Sequence, residues 1–233
     1  NTMLGKGNCD YGVYFRDGKR NVMSNNVFGG HTTDGIRFDS SAASNTVVGN
    51  TIRTNTVSGV YIDGAGADGN RVVSNYIRGN TIGLQQYGVL IRDGDANLVT
   101  NNDLIRHSSA AIEFTNSASS NRIVGNRAFS NSFYALRWLG GAVNGNVVSR
   151  NLFYRNGPRA VRASSGAKNL FLNNVIFGQG AGVHIEPGSI SNRFVLSSKF
   201  FQPHPITFPS SNRIGVMCFR SESPLYFPFL SVM

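Results

Sequence analysis

A phrase of four residues recurs at a near-constant interval along this chain: Gly or Ala, an aliphatic residue, any residue, then a large apolar one. It reads Gly12-Val13-Tyr14-Phe15, Gly35-Ile36-Arg37-Phe38, Gly59-Val60-Tyr61-Ile62 and Gly88-Val89-Leu90-Ile91. It continues as Ala111-Ile112-Glu113-Phe114, Ala135-Leu136-Arg137-Trp138, Ala160-Val161-Arg162-Ala163 and Gly182-Val183-His184-Ile185. Pro205-Ile206-Thr207-Phe208 is a degenerate ninth copy. From Val13 to Ile206, eight steps cover 193 residues, about 24 per step. A period of this size is the mark of a stacked-repeat architecture, in which one unit cannot bury its apolar face alone but a stack can.

Between copies lies a second phrase: Asn, any, apolar, any, any, Asn, any, apolar. Asn45-Thr46-Val47-Val48-Gly49-Asn50-Thr51-Ile52 and Asn70-Arg71-Val72-Val73-Ser74-Asn75-Tyr76-Ile77 are clear examples. In both phrases apolar residues alternate with others, a period of two, which predicts strands rather than helices. Composition agrees. The 233 residues hold 27 Gly and 27 Asn, both poor helix formers, and no apolar run approaches a membrane helix. Each coil then holds three short strands separated by turns, stacked about 4.8 Å from the next coil.

These phrases resemble those of the right-handed parallel β-helix superfamily, which includes pectate lyases, polygalacturonases and mannuronan C5-epimerases. The resemblance covers residues 12 to about 208. It implies an all-β, single-stranded, right-handed parallel β-helix of about nine coils. It also implies a strand order within each coil, with Gly59–Asp63 first, Asn70–Val73 second, Ser74-Asn75 a tight turn and Tyr76–Arg78 third. The domain so defined spans 1–208 and starts in mid-repeat, so the N-terminal end is expected to be uncapped and the chain poorly soluble; residues 209–233 are expected to be a degenerate repeat followed by a hydrophobic cap.

Four apolar columns are expected to fill the interior, those headed by Val13, Phe15, Met23 and Phe28. Two amide columns are expected to bond from coil to coil. One runs Asn26, Asn50, Asn75, Asn102, Asn126, Asn151, Asn174, at turn positions where an amide tolerates left-handed backbone. The other runs His31, Asn55, Asn80, His107, Asn131, Asn156, Gln179, so both histidines stand in for amides. Cys9 and Cys218 fall about eight coils apart, roughly 38 Å by the strand spacing, too far for a disulfide.

The outward face of the first strand carries the functional question. One position reads Tyr14, Arg37, Tyr61, Leu90, Glu113, Arg137, Arg162, His184 down the stack, and the next reads Arg16, Asp39, Asp63, Arg92, Thr115, Leu139, Ser164, Glu186. A flat strip of Arg, Tyr and carboxylates suits a linear acidic polysaccharide, since Arg pairs with carboxylates and aromatic faces stack on sugar rings. In the resembling enzymes the same strand lines the polysaccharide groove. Uronate lyase or epimerase chemistry needs a carboxylate neutraliser and a base; Arg37, Tyr61, Arg92 and Arg137 are the candidates. Tyr14, Arg16, Asp39, Asp63, Glu113, Arg162 and His184 are the candidate substrate contacts. Hydrolysis needs two carboxylates. Asp39 and Asp63 sit one coil apart, and Thr33-Asp34-Gly35-Ile36 resembles a first catalytic segment of polygalacturonases. The later paired-Asp and Gly-His-Gly segments are absent, as is the histidine signature of the mannuronan epimerases. The contrasting reading is a solvated face of cross-coil ion pairs, Arg37 with Asp39 or Asp63 and Arg92 or Arg137 with Glu113, on a non-catalytic scaffold such as a surface, adhesion or tail-fibre module.

Twenty-two Lys and Arg against twelve Asp and Glu give a net charge of +10, which favours acidic partners. The bases are spread around the coil, which disfavours nucleic acid. The expected partner is therefore an acidic polysaccharide, with no nucleic acid and no membrane, and coil ends offer a route to oligomers. No cofactor or metal set is called for, and Ca²⁺ stays open. An extracellular or cell-envelope setting follows from the resemblance.

Overall fold

The computed structural model describes residues 1–80, 85–178, 180–187, 189–195 and 213–214. Its strands form three parallel sheets, wound as a right-handed β-helix with one strand per sheet in each coil. The first sheet runs from Tyr11–Phe15 to Ala181–Ile185 in eight strands, the second from Val22–Ser24 to Arg213–Ile214 in nine, and the third from Thr2–Leu4 to Val175–Phe177 in eight. Strands Ser58–Asp63, Arg71–Val73 and Tyr76–Arg78 match the expected order within one residue. The partial copy at Arg213-Ile214 pairs in register with Arg193 and Phe194. The degenerate copy at 205–208, Gln179, Cys218 and most of the 209–233 segment lie outside the described residues. Cys9 is exposed and free.

All four expected core columns point inward, with Ile36, Val60, Phe38, Val47, Ile52, Phe114 and Phe153 among many fully buried members. Only in the first coil are they half open, at Met3, Val13 and Phe15. The Gly-or-Ala position that opens each repeat has a steric cause. A Cβ on Gly59 would lie 2.4 Å from Ile77 Cγ2, and one on Gly35 2.6 Å from Ile52 Cγ2. The first strand there passes directly over third-sheet side chains, so only a small residue fits. A large ring is accommodated beside a small one: fully buried Trp138 pairs in register with Ala163.

Both asparagine positions of the second phrase become ladders. The backbone N–H of Asn50 donates to Asn75 Oδ1 (2.9 Å), that of Asn75 to Asn102 Oδ1 (2.8 Å), and that of Asn102 to Asn126 Oδ1 (2.9 Å). The strand-start asparagines Asn45, Asn70, Asn97 and Asn121 repeat the pattern. The role of the column through Asn50, Asn75 and Asn102 differs from the expected one. The left-handed turn residue is the one before each ladder asparagine: Gly49 (φ 65), Ser74 (φ 53), Asn101 (φ 55), Gly125 (φ 67) and Arg150 (φ 56). The ladder amide is retained for its hydrogen bonds, and its neighbour absorbs the turn. Because an L-residue is disfavoured there, Ser74→Gly is expected to raise stability by about 0.5–1 kcal/mol in urea denaturation. An unchanged midpoint would show that the turn carries no strain.

In the other amide column Gln85, not Asn80, takes the slot. Asn55 donates to Gln85 Oε1 from its backbone N–H (3.2 Å) and Nδ2 (3.3 Å), and Gln85 Nε2 faces His107 Nδ1 at 3.4 Å. This is the coil with about five extra residues, and register after the insertion is restored at Gln85. His31 and His107 do replace amides. His31 Nε2 faces the Met3 carbonyl at 3.2 Å, as Asn131 Nδ2 faces that of Leu104 at 3.3 Å. Complete burial pushes His107 down to about 3, so it stays neutral wherever the fold holds.

Candidate functional site

Strand register places the first-sheet column as expected. Tyr14 opposes Arg37, Arg37 opposes Tyr61, Tyr61 opposes Leu90, and Glu113, Arg137, Arg162 and His184 follow in turn. Alternation turns all of them outward, because their neighbours in the strand are core residues. The side chains collect into two clusters separated by Leu90.

The lower cluster centres on Arg37. Its Nη2 lies 2.9 Å from Asp63 Oδ2 and 3.5 Å from Asp39 Oδ2, and its Nη1 lies 3.6 Å from Asp34 Oδ2. The guanidinium also sits 4.5 Å above the Tyr61 ring and 5.7 Å from that of Tyr11. Tyr14 is exposed, stacks on Tyr11 at 5.1 Å, and donates its hydroxyl to Asp39 (3.1 Å). Arg92 is half exposed and reaches Asp63 at 3.7 Å. Arg16 is exposed beyond the strand end. Burial pushes the Tyr61 hydroxyl above its ordinary value, so it is a phenol at neutral pH.

In the upper cluster Arg137 donates from Nε to Glu113 Oε2 (2.6 Å), approaches the Tyr87 hydroxyl at 3.5 Å, and lies 5.3 Å from the Tyr134 ring. Glu113 is almost fully buried, and that burial raises its pKa although Arg137 opposes the rise. Arg162 donates to Glu186 (2.7 Å) and toward the Tyr134 hydroxyl (3.4 Å). Burial, then Arg159 and Arg162, lower the pKa of His184, which is therefore a neutral imidazole at pH 7. The cross-coil pairs of Arg37 with Asp63 and of Arg137 with Glu113 are thus both formed, and Arg92 pairs with Asp63.

A third outward column completes the face: Tyr11, Asp34, Ser58, Tyr87, Ala110, Tyr134. These residues stand three positions before the expected ones in the same strand, with two successive inward positions between, so a strict alternation in sequence turns them inward and misses them. Asp34 is the most perturbed of them. It is 1% exposed, accepts the Ser58 backbone N–H at 3.0 Å, and burial pushes its carboxyl up to about 6 against the pull of Ser58 and Arg37.

With that geometry in view, the chain can be compared with known proteins. The profile of one family, described as periplasmic copper-binding protein (NosD), matches residues 1–137 and again 71–197. The chain belongs to the NosD family. No curated protein matches this NosD-family chain. Solved structures share its fold. The periplasmic alginate epimerase AlgG, in a double-mutant form, aligns at TM-score 0.66 and 16% identity over 83% of this chain and 49% of that one. The Dettilon tailspike protein aligns at TM-score 0.56 and 13% identity over 85% and 54%. A mutant DFA-IIIase from Arthrobacter chlorophenolicus A6 aligns at TM-score 0.57 and 12% identity over 82% and 53%. The NosD-family chain therefore spans about half the length of the structures it matches.

Proposed function

We propose that this is an extracytoplasmic carbohydrate-binding β-helix whose first-sheet face holds a polysaccharide. The observation that carries the reading is the first-sheet face, where tyrosines and ion-paired arginines stand in register along the coils in two clusters, with Tyr11 stacked on Tyr14. A linear polymer can lie on such a face with one set of contacts per rung. Support comes from what similar folds do. An alginate epimerase acts on a polysaccharide, and a DFA-IIIase structure holds GF2. The family description and the epimerase title both say periplasmic. Among the described residues no helix is long and apolar enough to cross a membrane.

Binding without turnover fits the electrostatics best. Arg37, Arg137 and Arg162 already hold Asp63, Glu113 and Glu186, so a uronate enters only by exchanging with a protein carboxylate. Tyr61, a protonated phenol, is poorly set to act as a base. The family description also names copper. Copper favours imidazole, thiolate and thioether donors. Among the described residues no three His, Cys, Asp or Glu side chains converge to hold a metal, and His31 and His107 are built into the amide column three rungs apart. The described residues do not form a copper site, and no step is assigned to copper.

The test is a binding panel of pectate, alginate and glycosaminoglycans. At least one glycan is expected to bind, and the Tyr11→Ala/Tyr14→Ala double variant is expected to weaken it about 10-fold. Unsaturated uronate product, lost on Arg37→Ala or Tyr61→Phe, would establish a lyase in place of a binding module. No binding to any glycan would overturn the proposal.

A further inference from the structure

The basic excess does not sit on the first-sheet face, where arginines and carboxylates balance. Much of it lies on the outward face of the third sheet. Arg53 and Arg78 oppose each other in register. Arg106 follows the next strand, Asp103–Ile105, and Arg150 and Arg155 flank strand Leu152–Tyr154. All five are exposed. Among the described residues none of them lies within ion-pair distance of a carboxylate, whereas Arg37, Arg92, Arg127, Arg137 and Arg162 each hold one. Asp103 is the one acidic residue at the described outward positions of this sheet, and Arg127 occupies it.

Like charges directly opposed in a ladder repel. This chain offsets its first-sheet arginines with carboxylates yet leaves the opposed pair Arg53 and Arg78 without them, and Arg106 stands on the next rung one position beyond Ile105, which opposes Arg78. An apolar strip continues the same column. Phe129 and Tyr154 stack at 4.7 Å and Tyr154 and Phe177 at 5.3 Å, with ring planes within 10°. These rings fill the space between one another, so they offer no gap for a nucleobase to enter, which is how single-stranded nucleic acids are usually held. They offer a low apolar wall beside a row of guanidinium groups.

We propose that the outward face of the third sheet is a second docking surface, specific for an anionic polysaccharide lying along the solenoid axis. Arg53, Arg78 and Arg106 pair with carboxylate or sulfate groups on successive sugars, because the rungs repeat every ~4.8 Å, on the order of one sugar residue. Phe129, Tyr154 and Phe177 seat the apolar edges of the chain. The surface is separate from the first-sheet face and does not depend on what that face binds.

The test is fluorescence anisotropy of a labelled heparin oligosaccharide with the full chain. Binding is expected, weakening steeply as salt rises. The Arg53→Glu/Arg78→Glu/Arg106→Glu variant is expected to lose affinity about 30-fold or more. A control of equal charge change elsewhere, Arg71→Glu/Arg122→Glu/Lys168→Glu, is expected to lose less than about 3-fold, screening being strong at that distance. The arginine triple is expected to lose the same factor in heparin affinity whether or not Tyr11→Ala/Tyr14→Ala is also present, which separates this surface from the first-sheet one. Both triples change exposed positions, and matched thermal unfolding confirms that each is folded. Equal losses in the two triples would overturn the proposal in favour of bulk charge. Tighter binding of single-stranded DNA of equal length, or equal binding of uncharged dextran, would overturn its specificity for anionic sugars.

Discussion

Asn102→Ala is expected to lower folding stability by about 3–5 kcal/mol, measured by urea denaturation of the full chain. Asn102 is fully buried. Its Nδ2 donates to the carbonyl of Val72 (2.8 Å), and its backbone N–H and Nδ2 both reach Asn126 Oδ1 (2.9 and 3.0 Å). Its Oδ1 accepts the backbone N–H and the amide of Asn75 (2.8 and 3.0 Å). Truncation strips partners from two donors of the coil below and from a carbonyl in a dry interior. Each orphaned group costs about 1–3 kcal/mol. Asn8→Ala, at an exposed position, is expected to change stability by less than about 0.5 kcal/mol. A loss under about 1 kcal/mol at Asn102 would mean that water or local rearrangement replaces the ladder.

Asp34→Asn is expected to flatten the acidic limb of the stability profile. The Asp34 carboxyl lies near 3.8 in the unfolded chain and is pushed up to about 6 in the fold by burial. The native state therefore binds this proton more tightly than the unfolded chain does. Its contribution is fully present below pH 4 and is lost as pH rises through about 6. The difference amounts to roughly 3 kcal/mol. Asparagine still accepts the Ser58 N–H and carries no titrating proton. Stability of the variant relative to the wild type is thus expected to climb by about 3 kcal/mol between pH 4 and pH 8, whatever constant offset follows from losing Arg37's partner. A gap that stays constant across that range would show that Asp34 ionises normally, with water or Arg37 fully offsetting its burial.

Most of the architecture was legible in the sequence because a solenoid is a local repeat. Each position recurs about every 24 residues in the same environment, so agreement among copies substitutes for tertiary information. Val60, Ile62, Val72 and Ile77 could be assigned to the core for that reason, and register confirmed the outward column from Tyr14 to His184. Inference failed where the period broke. Asn80 looked like a ladder residue because it holds the right offset from Asn75, but the insertion moves the slot to Gln85. The turn was misassigned by one residue, because Asn26 and Asn50 recur strictly while their left-handed neighbours vary among Asn, Gly, Ser and Arg. Side-chain chemistry varies where backbone conformation is conserved, and sequence pattern reports only the former.

The sequence by itself determined the solenoid, its interior, the ladder of Asn50, Asn75, Asn102 and Asn126 and the outward column from Tyr14 to His184, since all follow from a period of two nested in a period of about 24. Only the tertiary structure decided which charges meet. Arg37 gathers Asp34, Asp39 and Asp63 from its own and the adjoining rung, and Glu113 is sealed under Arg137, while Arg53 and Arg78 are left facing solvent. The physical reason is that a long side chain can reach two rungs and several columns. Its partner is chosen by geometry and desolvation among neighbours that are close in space and about 24 residues away in the chain.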